Sequence, residues 1–254
     1  MTWDWRPLDE ALERQETPLP VWWRDDDAIQ DTAALHTLFA LADQVDWPLH
    51  LAVIPARADD SLARCLRSAA HVVPLTHGWA HQSHARPLQK NAEYGATRDL
   101  AVMAGEAGRA RARLGDLLDD PPAPMFVPPW NRIAPDLLPL LAGEGYTMLS
   151  TFAPRRVQMP CPGLTQINTH LDPIHWRGGR SLVPPKRLIA QMAQDLRDRQ
   201  DGRTDATEPY GLLTHHLVHD DAIWTFVADL LARLSKAPLV HWDARHPLTR
   251  EPLS

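Results

Sequence analysis

The sequence predicts an α/β fold, a closed or nearly closed barrel of parallel strands, with an open doubly wound sheet as the alternative. Short apolar runs alternate with segments whose apolar residues recur at helical spacing, which is the pattern of βαβ units. Polar clusters follow four of the apolar runs, and functional side chains of parallel α/β folds lie at the carboxyl ends of strands. A length of 254 residues suits one domain with a sizeable core, so we predict a single domain over residues 1–254.

The elements are predicted in turn from these patterns. Apolar runs of strand length, bounded by turn residues, predict strands at residues 20–24, 48–54, 72–76, 125–127, 146–150, 164–168, 210–214 and 239–242. Helical spacing, as in Ala34, Leu35 and Leu38, predicts helices at residues 31–45, 60–69, 97–118, 135–142, 185–199 and 221–234. Asp31 is the predicted N-cap of the first of these helices.

Composition excludes several classes of protein. A formal net charge of −6 argues against nucleic acid as the main partner, because phosphate contacts need a basic surface. Cys65 and Cys161 are too few for a disulfide framework and are predicted to be free thiols. No signal peptide and no apolar stretch of membrane-spanning length is visible, so we expect a cytoplasmic protein without a membrane span.

Two clusters of potential metal ligands follow apolar runs. Asp25, Asp26 and Asp27 follow the first run, and His77 and His81 follow the third. Adjacent carboxylates repel one another unless a cation or shared protons lie among them. On a helical turn, two histidines four residues apart lie on one face and can share one cation. Two imidazoles and a carboxylate form a common catalytic zinc set, which favours a metallohydrolase over a solvated loop with surface histidines.

Other polar residues follow the fourth and seventh runs. His215 would point towards the barrel mouth, where an imidazole delivers a proton to a leaving amine; the alternative is a core histidine bonded to the backbone. Pro129 and Trp130 would wall a pocket, because an indole offers a flat face to a sugar ring and a backbone N–H to an oxyanion. The alternative there is a rigid loop packed on the core. Asp172 is a candidate for a supporting role.

In their order along the chain, these residues resemble the polysaccharide deacetylases, the NodB-homology, metal-dependent deacetylases of carbohydrate esterase family 4. That family has a strand ending in paired aspartates, then H-[ST]-x-x-H, R-x-P-[WY], a D-x-x-W-like segment and a strand ending in L-x-H. The corresponding residues cover roughly residues 20–216 and are Asp26–Asp27, His77 with His81, Pro129–Trp130, Asp172 with Trp176, and Leu213–Thr214–His215.

The resemblance implies a distorted (β/α) barrel of about seven parallel strands. It also implies hydrolysis of an N-acetyl or O-acetyl group on a carbohydrate or related small molecule, with a metal-bound water as the nucleophile. The roles it implies are Asp27, His77 and His81 as metal ligands, Asp26 as base, His215 as acid, and Pro129 and Trp130 at the substrate and oxyanion. The expected divalent metal is zinc, with cobalt, nickel or manganese as alternatives.

Three departures from the family pattern leave alternatives open. The functional aspartate pair could be Asp25–Asp26, and Gly78 stands where the family has a hydroxyl residue. Val127 stands where the family has arginine, with Arg24 and Arg132 as candidates for that charge. An inactive sugar-binding or interaction module on the same scaffold is therefore one alternative function, and a metal-dependent hydrolase of non-sugar amides is another.

Overall fold

A computed structural model describes residues 3–246, and the two ends of the predicted domain, residues 1–2 and 247–254, lie outside the described residues. The strands are β1 Leu19–Ala28, β2 Leu49–Val53, β3 Val72–His77, β4 Met125–Val127, β5 Met148–Leu149, β6 Thr165–Gln166, β7 Tyr210–Thr214 and β8 Leu239–His241. They form one sheet in the order β6-β5-β4-β3-β2-β1-β7, and β8 pairs with the first residues of β1. Every pairing is parallel, as the βαβ pattern predicts.

The sheet curls until its two edges meet. After β6, Leu171 forms a parallel bridge to Leu212 of β7, and the Leu213 N–H donates to the Leu171 carbonyl at 2.8 Å. On the other side of the same segment, Thr169 forms a bridge to Phe152 beyond β5. Single bridges rather than a full ladder therefore close the barrel, and the predicted distorted (β/α) barrel is confirmed.

Seven helices of the described chain cover the outside of this sheet. They are α1 Arg6–Glu13, α2 Ala33–Val45, α3 Asp60–Arg67, α4 Leu100–Leu118, α5 Leu138–Gly143, α6 Pro185–Gln200 and α7 Asp221–Leu234. The predicted N-cap Asp31 is wrong: Thr32 caps α2 by accepting from the Leu35 N–H at 3.0 Å, and the Asp31 carboxylate contacts His36 instead. Within residues 3–246, no helix has the length and apolar character that crossing a bilayer requires.

One face of β1 points into the barrel and the other points to the surrounding helices, so its polar residues lie in two different environments. Trp22 packs among the apolar side chains inside the barrel, whereas Trp23 packs against the surrounding helices. Since successive strand residues point to opposite faces, Arg24 and Asp26 face the interior, as Trp22 does, and Asp25 faces the helical layer.

His50 of β2 is a neutral histidine built into the core. Its Nδ1–H donates to the Trp23 carbonyl at 3.0 Å, and its Nε2 accepts from the Ala244 N–H at 3.0 Å. The rings of Trp22 and Trp242 lie 5.3 and 5.4 Å from the imidazole, centroid to centroid. Burial in these surroundings lowers the pKa of His50 from 6.5 to about 4.

This pKa shift predicts a specific loss of stability in acid. The unfolded chain protonates His50 near pH 6.5 but the folded chain only near pH 4, so acidification across that window favours unfolding. Between pH 7 and 4, the free energy of unfolding of the wild type should fall by ~3 kcal/mol more than that of His50→Gln in urea titrations. Substitution of the exposed His175 by glutamine is the control, and parallel pH profiles for the wild type and His50→Gln would contradict the expectation.

Candidate metal centre

Three potential ligand atoms converge at the carboxyl ends of β1 and β3. Asp27 Oδ1 lies 3.1 Å from His77 Nε2 and 3.3 Å from His81 Nε2. One ligand atom from each residue lies within 4.8 Å of the other two. The register of β1 with β2 shifts between Asp25 and Ala28, and Asp27 has a left-handed φ of 77°. This irregularity turns Asp27 towards the histidines, whereas simple alternation would point it to the helical layer.

The predicted helical turn between His77 and His81 is wrong. The loop after β3 turns through left-handed residues, Gly78 with φ 57° and His81 with φ 56°. The buried Glu93 carboxylate holds this loop, because it accepts from the N–H groups of Trp79 at 3.2 Å and Ala80 at 2.8 Å. A Cβ on Gly78 would lie 2.3 Å from Glu93 Oε2, so a hydroxyl residue does not fit there. Glu93 lies in a loop and belongs to no recognisable motif, so the sequence did not indicate its role.

The donor set suits a divalent cation. The Nδ1–H of His77 donates to the Val127 carbonyl at 3.0 Å, which directs the Nε2 atom towards Asp27. Burial opposes protonation of His77, but Asp26 and Asp27 outweigh it and raise its pKa. Burial alone would raise the pKa of Asp27, but His77 outweighs it and lowers that pKa. Asp27 and His77 thus share a proton, and a metal ion can replace a proton that a carboxylate and an imidazole share.

Arg24 forms a buried ion pair with Asp26 beside this cluster. The guanidinium has no solvent exposure, and its Nε and Nη2 atoms donate to Asp26 Oδ1 and Oδ2 at 2.8 and 3.0 Å. Of the two candidates for the charge missing at Val127, Arg24 therefore contacts the aspartate. Arg132 donates instead to the Asn91 carbonyl at 2.7 Å.

The same guanidinium positions the turn that carries Trp130. Its Nη2 donates to Asn131 Oδ1 at 2.8 Å, and its Nη1 donates to Ser150 Oγ at 2.5 Å. Trp130 and Asn131 both have left-handed φ angles, 57° and 55°, which non-glycine residues adopt only when surrounding contacts hold them. The turn brings the Trp130 ring to 4.3 Å from that of His81. Pro129 and Trp130 therefore lie beside the histidine loop.

Asp25 lies on the other face of β1 and takes no part in this cluster. Its Oδ2 accepts from Thr214 Oγ1 at 2.7 Å and from the His216 N–H at 3.0 Å, and its Oδ1 lies 2.5 Å from His216 Nδ1. Burial would raise the pKa of Asp25, but His216 outweighs it and lowers that pKa. The aspartates that lie together with the histidines are thus Asp26 and Asp27, not Asp25 and Asp26.

His215 faces Asp26 across the rim. Its Nε2 lies 3.9 Å from Asp26 Oδ2, and its ring lies 4.7 Å from that of Trp176. The Trp176 Nε1–H donates to Asp172 Oδ2 at 2.7 Å. Burial raises the pKa of Asp172, although the nearby His215 opposes the shift. The sequence-predicted residues at the ends of β1, β3 and β7 thus lie on one rim with Trp130, Asp172 and Trp176, while Arg132 points its guanidinium elsewhere.

The fold is that of known carbohydrate-active enzymes. The chain is similar to a family 4 carbohydrate esterase from Streptomyces lividans solved with acetate, with 15% identity, coverage of 88% of this chain and 92% of that one, and a TM-score of 0.56. It is similar to a family 4 acetyl xylan esterase from Clostridium thermocellum solved with a cobalt ion, at 15% identity, 87% coverage of both chains and a TM-score of 0.53.

A third similar structure is the chitin deacetylase of the fungal pathogen Colletotrichum lindemuthianum, at 14% identity, coverage of 89% of this chain and 86% of that one, and a TM-score of 0.54. No protein-family model and no curated protein matches the sequence. At these identities the likeness establishes a shared fold, and the resemblance to polysaccharide deacetylases is confirmed at that level.

The buried ion pair makes a stability prediction. Arg24→Met leaves Asp26 as an uncompensated buried charge and should lower the free energy of unfolding by ~3–5 kcal/mol. The double variant with Asp26→Asn carries neither charge and should recover a large part of that loss. Urea unfolding of the four members of this cycle measures both effects, with Arg132→Met as a control expected to change stability by less than about 1 kcal/mol. A double variant no more stable than Arg24→Met would contradict the pairing.

Proposed function

We propose that this protein is a metal-dependent deacetylase that hydrolyses an N-acetyl or O-acetyl group on a carbohydrate. The observation that carries the proposal is the convergence of Asp27, His77 and His81, with the Asp26–His215 pair directly beside them. Support comes from the similar structures, which are an esterase solved with acetate, an acetyl xylan esterase and a chitin deacetylase.

Asp27, His77 and His81 are the proposed ligands of the cation. Three protein ligands leave a position open, which is the arrangement of catalytic rather than structural zinc sites. When bound, a divalent cation supplies Lewis acidity that lowers the pKa of water and polarises a carbonyl. Zinc is the first expectation for this Asp–His–His set, and cobalt, nickel and manganese suit it as well.

Asp26 is the proposed general base. Arg24 donates to both of its oxygens, which fixes the plane of the carboxylate. Two carboxylate oxygens offer about four lone-pair sites, so the paired Asp26 retains capacity to accept a proton from water. Asp26 lies between Arg24 and His215, so its remaining lone pairs are available on the rim.

His215 is the proposed general acid that protonates the leaving nitrogen or oxygen. Its Nε2 lies 3.9 Å from Asp26 Oδ2, so the group proposed to remove a proton and the group proposed to return one lie next to each other. Trp176 packs on its ring and Asp172 accepts from Trp176, which restricts the orientation of the imidazole.

Pro129 and Trp130 are the proposed substrate and oxyanion contacts. The half-buried Trp130 ring borders His81, so a sugar ring stacked on it would bring its acetyl group next to the cation ligands. Candidate substrates are soluble acetylated sugars, lipid-linked sugar precursors and small amides, and the cytoplasmic location remains a prediction of the sequence.

Removing either histidine tests the ligand assignment. His77→Ala and His81→Ala should each abolish binding of divalent metal at this site and lower kcat/KM for acetate release by about 10³-fold or more, because the Lewis acid is lost. Circular dichroism should show an intact fold. His84→Ala removes an exposed histidine of the same segment and is the matched control. A purified protein that holds no divalent metal, together with a fully active His81→Ala, would refute the proposal.

The nature of the leaving group tests the role of His215. His215→Ala should lower kcat for an N-acetyl sugar by ~10²–10⁴-fold, because the amine leaves only when protonated. An activated aryl acetate, whose leaving group needs no proton, should lose far less. Equal losses on both substrates would show that His215 is not the acid, and sugar binding without acetate release by the wild type would favour the binding-module alternative.

A further inference from the structure

A second group of potential metal ligands lies where the loop after β1 meets α3. It consists of Asp31, His36 and Cys65, and one ligand atom from each lies within 4.8 Å of the other two. Asp31 Oδ1 lies 2.7 Å from His36 Nε2. Carboxylate, imidazole and thiol are thus already gathered around one point.

Local structure holds the three residues together. The Asp31 N–H donates to Ser61 Oγ at 2.9 Å, and Ser61 and Cys65 lie on one face of α3, four residues apart. His36 lies in the first turn of α2, where its N–H donates to the Thr32 carbonyl at 3.1 Å. Asp31 and His36 therefore come from one side of the group and Cys65 from the other, each on a backbone position that hydrogen bonds define.

The chemistry of this group differs from that of the rim. Metal ligands bind in their deprotonated forms, so a cation here would contact one thiolate and one carboxylate, whose two negative charges match a divalent ion. Sulfur and imidazole ligands select zinc and similar thiophilic metals over magnesium and calcium.

We propose that Asp31, His36 and Cys65 form a second, exposed site for a thiophilic divalent cation such as Zn²⁺. Three protein ligands leave room for water or for a ligand from outside the chain. The bound cation joins the loop after β1 to α3. Asp27, a proposed ligand of the first site, is the next-to-last residue of β1, so a cation at the second site would steady the loop that follows it.

Cobalt distinguishes the two sites, because only the second contains sulfur. The full chain is dialysed to replace its bound metal with Co²⁺, and its absorption and cobalt content are measured. The wild type should show a thiolate-to-cobalt charge-transfer band in the near ultraviolet. Cys65→Ser should lose the band and one equivalent of cobalt, whereas Cys161→Ser should retain both.

His77→Ala should keep the band while losing the other equivalent, so the two proposals fail separately. The His36 side chain is 62% exposed, so His36→Gln should not disturb folding. This variant should weaken the cobalt affinity of the band-forming site by about tenfold or more. Absence of the band from the wild type, or its survival in Cys65→Ser, would overturn the second site.

Discussion

The buried guanidinium of Arg24 lies beside the candidate metal ligands, and its requirement for hydrogen-bond acceptors fixes the positions of the groups around it. An isolated buried charge costs several kcal/mol, so Arg24 requires hydrogen-bond acceptors on every side. Asp26 of its own strand supplies two, and the segments that follow β4 and β5 supply Asn131 Oδ1, Ser150 Oγ and the Thr151 carbonyl. One side chain therefore fixes the carboxylate that we propose as base and the turn that carries Trp130.

Successive residues of a strand point to opposite faces, and this alternation places two aspartate–histidine pairs on opposite sides of β1. Asp25 and Asp26 point to opposite faces of β1, and they meet consecutive histidines after β7, the strand that runs parallel beside it. Asp26 faces His215 on the rim, while Asp25 binds the ring and the N–H of His216 in the buried layer. The buried pair anchors the end of β7 and thereby limits the movement of His215, so a structural pair supports a proposed catalytic one.

Sequence patterns predicted the strands that reach the rim and most of the residues that meet there, because strand ends and the order of short motifs depend on local composition. Contacts between distant segments were beyond such patterns. The loop between His77 and His81 follows the buried Glu93 carboxylate rather than helical spacing, and the choice of Arg24 over Arg132 depends on which side chain faces the barrel interior. Thr32 rather than Asp31 caps α2, and the Asp31 carboxylate contacts His36, a residue that lies one turn into the helix.

The proposed function depends on the binding of one catalytic cation by Asp27, His77 and His81. Diffraction data collected from crystals of the full chain above and below the absorption edge of the bound metal test it most directly. We expect an anomalous peak at about 2.0–2.2 Å from an oxygen of Asp27 and from Nε2 of both histidines. A protein that releases acetate while no metal lies within reach of these three residues would contradict it.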